Sequence, residues 1–332
     1  MPSNRVLVPP ELSSRLLTAA PEGELETISG VSMGTTWSVQ AILGHRQINL
    51  RECIERALHR VIEQMSTWEP TSHLSQFNRA APATWCKLPA ECWHVLTYAL
   101  WLARETKGAY DPTIGALSNL WGFGPSGPRA APPSAAEIEA ARARTGWHRI
   151  EVSTAERRAW QPGGIEIDLS SIAKGYAVDH VARALEAHGI ANYLVEIGGE
   201  LRGAGCKQDD SPWWVDIERI DPDDSTRTLV ALHELSVATS GDYRRYMEAD
   251  GTRYSHSIDP RTGWPIDNAL ASVTVLAREC MHADALATAL HILGPEQGLA
   301  FADAHSIAAV LVERRASGFV HHFSAAVQQY LD

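Results

Sequence analysis

The stretch from His282 to Leu290, HADALATAL, is mostly alanine and leucine. Asp284 and Thr288 interrupt it one helical turn apart, on one face. A carboxylate and a hydroxyl are hard oxygen donors. They suit Mg²⁺ rather than zinc, with water and a substrate phosphate filling the remaining positions. A buried aspartate accepting the threonine hydroxyl would use the same spacing, so the pair alone leaves both readings open. A second stretch, EIDLSSIAKGYAVDH (166–180), carries Asp168, two serines and Lys174. An expected strand over 165–169 runs into a helix capped by Ser170-Ser171, with Lys174 in its first turn. Unpaired N–H groups at a helix start, joined by an ammonium, suit a phosphate; an N-cap followed by a surface lysine would look the same.

Other stretches add candidates. IGGELRGAG (197–205) has the glycines of a dinucleotide loop but no helix opening after them, so a tight bend or a close backbone approach is expected instead. RYSHSIDPRTGWP (253–265) offers His256 and Asp259 as proton acceptors, although Asp-Pro-Arg-Thr-Gly is also turn composition. GVSMGTTW (30–37), GAYDPTIGALSNLWGFG (108–124) and MSTWEPTSHLSQFN (65–78) contribute Met33, Asp111 and Trp68. A tryptophan beside a loop can stack on a planar ring or simply pack.

These residues need elements to hold them. Residues 35–43 alternate as a strand, and the apolar positions from Ile48 to Met65 follow a helical period. A helix is expected from Pro89 to Gly108, and Ser134 with Glu137 has capping-box spacing for a short helix ended by Gly146. After the 170–188 helix, stopped by Gly189, come a strand over 193–197, a strand over 272–276, a helix over 283–293 stopped by Gly294-Pro295 with another helix behind it, and strands over 307–312 and 319–323. Strands outnumber what an alternating α/β pattern needs, so the expected class is α+β with mixed or antiparallel sheets and flanking helices.

The chain has 332 residues, 45% apolar and 21% charged, enough for a core without disulfides or structural metal. Its net charge of −11 argues against nucleic acid and anionic membranes as partners. No segment reaches the roughly 18 apolar residues of a membrane span. The five cysteines form no C-x-x-C pair, which speaks against thiolate metal sites and a disulfide framework. Residues 1–26 are expected to be a loose tail ahead of one domain over 27–332. They show no secretory pattern and no lipid-bearing cysteine, so a cytoplasmic location without stable membrane insertion is expected.

The order of the motifs is more specific than any one of them. GVSMGTTW, MSTWEPTSHLSQFN, GAYDPTIGALSNLWGFG, IDLSSIAKGYAVD, YLVEIGGELRGAG, SVATSGDY, HSIDPRTG and ADALATAL together resemble the ApbE family, the FAD:protein FMN transferases, from about Gly30 to about Gly294. The resemblance implies a two-lobed, T-fold-related α+β arrangement with FAD between the lobes. It implies Mg²⁺-dependent transfer of FMN from FAD to a threonine or serine hydroxyl of an acceptor flavoprotein, with AMP released. By the same likeness Asp284, Ala287, Thr288 and Ser171 make up the metal positions, Ser171 through its backbone carbonyl. Met33, Trp68, Ala109, Tyr110, Asp111, Asp168, Lys174 and Ile258 align with FAD-contacting positions, and His256, Asp284 and Lys174 with catalytic ones. Trp68 replaces a common tyrosine, Ser170-Ser171 a frequent Gly-Gly, and Ser257 an aliphatic residue. Two other activities share these motifs: a Mg²⁺-dependent FAD pyrophosphatase giving FMN and AMP, and an FAD-binding carrier without turnover.

Overall fold

The computed structural model describes residues 5–9, 21–44, 48–220, 227–243, 245–316 and 318–331. Its contacts divide the chain into two compact units, each assembled from separate segments. The first takes residues 1–58, 174–241 and 269–332, the second 59–173 and 242–268.

The first unit is built on an eight-stranded sheet. Its order is Gly318–Phe323, Ala308–Arg315, Leu270–Ala277, Leu235–Gly241, Glu200–Ala204, Tyr193–Ile197, Thr35–Ile42 and Leu25–Ser32. Every neighbouring pair is antiparallel. Leu270–Ala277 is buried on both faces from Leu270 to Leu276, and two different layers account for it. Cys280–Ala304 is two helices meeting at a kink at Gly294 (φ 81°), ahead of Pro295, where the sequence placed the stop, and it packs on one face of this strand and of its two neighbours. On the other face Val237, Leu276, Ala308 and Val310 form a cluster with Leu7, Trp213, Val230 and Leu232. Those last four come from a three-stranded sheet in which Arg5–Leu7 runs parallel to Thr228–Leu232, and Trp213–Asp216 antiparallel to it. Side-chain alternation along each strand separates the two sets.

The expectation of a loose tail over 1–26 therefore fails at both ends. Arg5–Leu7 is a paired strand with Leu7 wholly buried, and the boundary at 26 falls inside Leu25–Ser32. A short apolar run meeting the open edge of Thr228–Leu232 gains both hydrogen bonds and burial. Residues 10–20 lie outside the described residues.

Among the described residues, the second unit holds the Ala90–Glu105 helix, three shorter α-helices, a 3-10 turn at Trp147–Arg149 and a three-stranded sheet of Thr84–Lys87, Arg158–Gln161 and Val152–Ser153. Ser134 and Glu137 close the expected capping box, though that helix ends at Arg142, ahead of Gly146. The expected strand over 165–169 is not one. Ile165, Ile167 and Leu169 are buried as alternation implied, but only one isolated bridge, Glu166 to Ile114, pairs the segment. Its backbone groups are met elsewhere: the Asn78 side chain bonds both Ile167 N–H and C=O, Gln161 donates to the Ile165 carbonyl, and Asp168 N–H donates to the Pro112 carbonyl. Side-chain amides replace a neighbouring strand, and hydrophobic alternation cannot distinguish the two.

Candidate active site

The Cys280–Ala304 helix carries Asp284 and Thr288, so its placement decides theirs. Glu279, just before it, makes no side-chain cap. Asp179, from the Ser170–Ala187 helix, supplies one: its carboxylate accepts the Cys280 N–H at 3.0 Å and the Met281 N–H at 2.9 Å. The Arg202 guanidinium donates to Asp179 Oδ1 at 2.8 Å. A carboxylate at a helix start satisfies unpaired donors and suits the positive end of the dipole. One turn earlier on the same helix, Gly175 lets the two helices touch. A Cβ built there would lie 2.3 Å from the Cys280 carbonyl oxygen and 2.8 Å from Asp284 Cβ. No other residue fits, and the close approach lets Gly175 N–H donate to Asp284 Oδ2 at 2.9 Å.

Asp284 is 6% exposed. Among the described residues, its Oδ2 bond to Gly175 is its one hydrogen bond, so Oδ1 remains open. Thr288 follows one turn later, half-buried, with no hydrogen bond from its hydroxyl among the described residues. Ala287 is buried, its methyl in the packed interior. Among the described residues no three His, Cys, Asp or Glu side chains gather as a metal cluster. A cation here would have to rest on a carboxylate, a hydroxyl and carbonyl oxygens, which is the donor set of Mg²⁺. The open oxygen on a buried carboxylate fits that need.

Lys174, half-buried, places Nζ 2.5 Å from Glu200 Oε1, and the Glu200 side chain is only 2% exposed. Lys174 lies one turn into the helix, beyond the first turn where the spacing placed it, because the helix opens at Ser170 itself. Asp168, not either serine, accepts the Ser170 N–H, at 2.8 Å. Burial works against the Lys174 charge, but the carboxylates of Glu200 and Asp284 outweigh it and raise its pKa. Burial pushes Asp284 above the ordinary carboxylate value, with Lys174 and the Gly175 N–H pulling the other way.

The second unit orders its candidates by loops and turns. Ala109, Tyr110 and Asp111 are buried. Asp111 Oδ1 accepts the Thr113 N–H and hydroxyl, and Oδ2 the Trp147 N–H at 3.1 Å, so this carboxylate braces the loop it sits in. Burial raises its pKa against those three bonds. The Ser171 hydroxyl donates to the Tyr110 phenol oxygen at 3.1 Å. Asp168 is 7% exposed, and its Oδ2 makes no hydrogen bond among the described residues. Trp68 is 59% exposed, in the bend after the Leu50–Met65 helix, where its N–H is held by Ser66 Oγ. Ile258 packs against Trp121, Leu117 and Ile138, so its side chain belongs to a core cluster.

His256 precedes a small hairpin of Ile258–Asp259 with Trp264–Pro265. Its Nδ1 lies 3.0 Å from the Arg245 carbonyl oxygen. A carbonyl can only accept, so Nδ1 carries the proton and Nε2 is the basic atom of the neutral ring. Asp259, the other candidate base, is clamped in two-pronged fashion by Arg261 at 2.9 and 2.8 Å, and its carbonyl accepts the Gly263 N–H. Its turn role is the one the structure supports.

Met33 is in the first unit, at the two-residue turn joining Leu25–Ser32 to Thr35–Ile42, with φ of 53°. A left-handed methionine is strained, and its neighbour Gly34 is a glycine for the same reason. The glycines of the 197–205 stretch do make a tight bend, Gly198-Gly199 joining Tyr193–Ile197 to Glu200–Ala204.

Within the first unit, Asp284 meets Gly175, the chain neighbour of Lys174, and Ala287 and Thr288 follow about one turn further along the Asp284 helix. Within the second, Ser171 meets Tyr110, and His256 stands two residues from Ile258; Trp68 is exposed and, among the described residues, bonded only through its backbone N–H. Gly175, Asp179, Glu200 and Arg202 were missing from the sequence-derived set. Gly175 and Asp179 lie four apart in AKGYAVD, on one helix face, which was the available signal; Glu200 follows the two turn glycines directly.

The fold is an antiparallel-sheet α+β one, and its first unit brings the buried Asp284 carboxylate against the helix that carries Lys174. The chain belongs to the ApbE family, whose family model matches residues 33–311. It is 41% identical to the FAD:protein FMN transferase of Vibrio cholerae serotype O1, over 96% of this chain and 97% of that one. It is 37% identical to the FAD:protein FMN transferase of Haemophilus influenzae, over 93% and 92%. The crystal structure of Pseudomonas stutzeri flavinyl transferase ApbE, apo form, superposes with a TM-score of 0.85 at 38% identity, covering 93% of this chain and 98% of that one.

Proposed function

We propose that this chain transfers FMN from FAD to the hydroxyl of a threonine or serine in an acceptor flavoprotein and releases AMP. The relatives that match it over more than nine-tenths of its length are FAD:protein FMN transferases. The observation that carries the reading is the buried Asp284 with an open oxygen, one turn from Thr288, whose hydroxyl makes no hydrogen bond among the described residues, and bonded to Gly175, the chain neighbour of Lys174.

In the reaction the acceptor oxygen bonds to the phosphorus of the FMN half, and the bridging P–O bond breaks with its electron pair leaving on AMP. Asp284, Thr288, the Ala287 position and the Ser171 carbonyl would hold Mg²⁺. Bound there, the ion would neutralise charge on the non-bridging diphosphate oxygens. Lys174 adds a second positive charge to the same phosphates, which an acidic chain otherwise repels. His256 Nε2 takes the acceptor hydroxyl proton. Trp68 offers an exposed π-face for a ring of FAD. Met33, Asp168, Ile258 and the 109–111 run border the nucleotide, Asp168 through its open oxygen and Asp111 by bracing its loop.

Incubation with FAD, Mg²⁺ and a flavoprotein bearing a suitable threonine tests this. A fluorescent acceptor band on a denaturing gel, with AMP in equal amount, is expected. AMP without a labelled band would mean hydrolysis, and neither product would mean a carrier; both overturn the proposal.

A further inference from the structure

The Lys174 ammonium has two buried carboxylates to choose between. Among the described residues its one ion pair within 4.0 Å is with Glu200, at 2.5 Å, and none joins it to Asp284. Yet Lys174 is the residue next to Gly175, whose N–H touches Asp284. A flexible four-carbon stem starting there can swing toward either acid. Each carboxylate is almost fully buried, so neither has water as a ready substitute for a cation.

We infer that Glu200 is a positioning residue that holds the Lys174 ammonium away from Asp284, leaving that carboxylate open to a divalent cation. The inference rests on the metal reading above. Glu200 is itself held firmly, since the Gly198-Gly199 turn and pairing with Ile197 fix its backbone, and packing leaves its side chain 2% exposed. Without its charge, Asp284 becomes the nearest anion for Lys174. The ammonium then occupies the open oxygen, and an incoming ion must displace it. Lys174 serves the phosphates and Asp284 the metal only while Glu200 keeps the two apart.

The test is calorimetric titration of FAD-free protein with Mg²⁺. Glu200→Gln, nearly the same shape, is expected to weaken binding about tenfold, a preference of one charge pair over another. Glu200→Asp should recover part of the loss. Adding Lys174→Met to Glu200→Gln should restore the affinity seen with Lys174→Met alone, since no ammonium is left to compete; general damage to the fold would persist in the double variant. Unchanged affinity in Glu200→Gln, or a loss that Lys174→Met does not relieve, overturns the inference. If the wild-type protein binds no Mg²⁺, or Asp284→Ala binds it equally well, the metal reading fails instead.

Discussion

Asp284 is 6% exposed, on a helix whose first turn is tied by Asp179 and pressed against Gly175; Trp68 is 59% exposed, in a bend tied by the hydroxyls of Ser66, Ser72 and Ser75 rather than by packing of its ring. His256 resembles Trp68 more than Asp284, since a carbonyl of a neighbouring loop orients it. The proposed metal residues are thus fixed by interhelical packing, and the residues proposed for the ring and the base by turns. Packing leaves a cation site little freedom, which suits a small ion with strict geometry. Turns allow a planar ring and a protein hydroxyl to be accommodated as they arrive.

Substitutions probe that contrast, and the largest effect is expected at Asp284. Asp284→Ala should lower transfer by about 10³-fold or more, measured as covalent flavin on the acceptor, because it removes the charged oxygens of the site. Wild-type turnover in this variant would remove the packed side from the mechanism. His256→Asn should cost about 10²-fold in transfer while FAD affinity, read by fluorescence, stays unchanged, as for loss of a general base. Equal losses in both would show His256 to be a binding residue.

Gly175→Ala sharpens the packing half. In an open helix this change stabilises by about 1 kcal/mol. Here the methyl meets a backbone oxygen at 2.3 Å, so a loss of about 3 kcal/mol in urea unfolding is expected. A neutral or stabilising result would mean that the helices are not in tight contact. Trp68→Ala should leave unfolding unchanged and weaken FAD binding by about 1–2 kcal/mol, within the range for ring stacking. Acidification gives a further check. Burial, partly offset by Lys174, raises the Asp284 pKa, and a proton competes with the cation. Mg²⁺ affinity should therefore fall with decreasing pH, beginning above the range where an ordinary aspartate protonates.

The sequence made the two halves legible to different degrees. Spacing alone brought out Asp284 with Thr288, and the turn at Gly198-Gly199, because helical period and glycine conformation are local properties. Motif order supplied the family and with it Met33 and Trp68, whose types say little by themselves. Asp179 as a cap was hidden, since its partners Cys280 and Met281 lie about a hundred positions away. Glu200 was hidden likewise, as an ion pair across separate elements leaves no periodic trace. The 165–169 segment misled because its burial alternates like a strand while Asn78 and Gln161 take the place of strand neighbours. Arg5–Leu7 is too short for any period to register, and only the edge it pairs with explains it.

The proposed chemistry turns most on whether a divalent ion binds at Asp284. Diffraction from crystals soaked with Mn²⁺ and FAD, recorded for anomalous scattering, locates it directly. The expected result is a peak about 2 Å from an Asp284 oxygen, with the Thr288 hydroxyl as a further ligand. A strong peak elsewhere, with Asp284 still bonded only to Gly175, would contradict it.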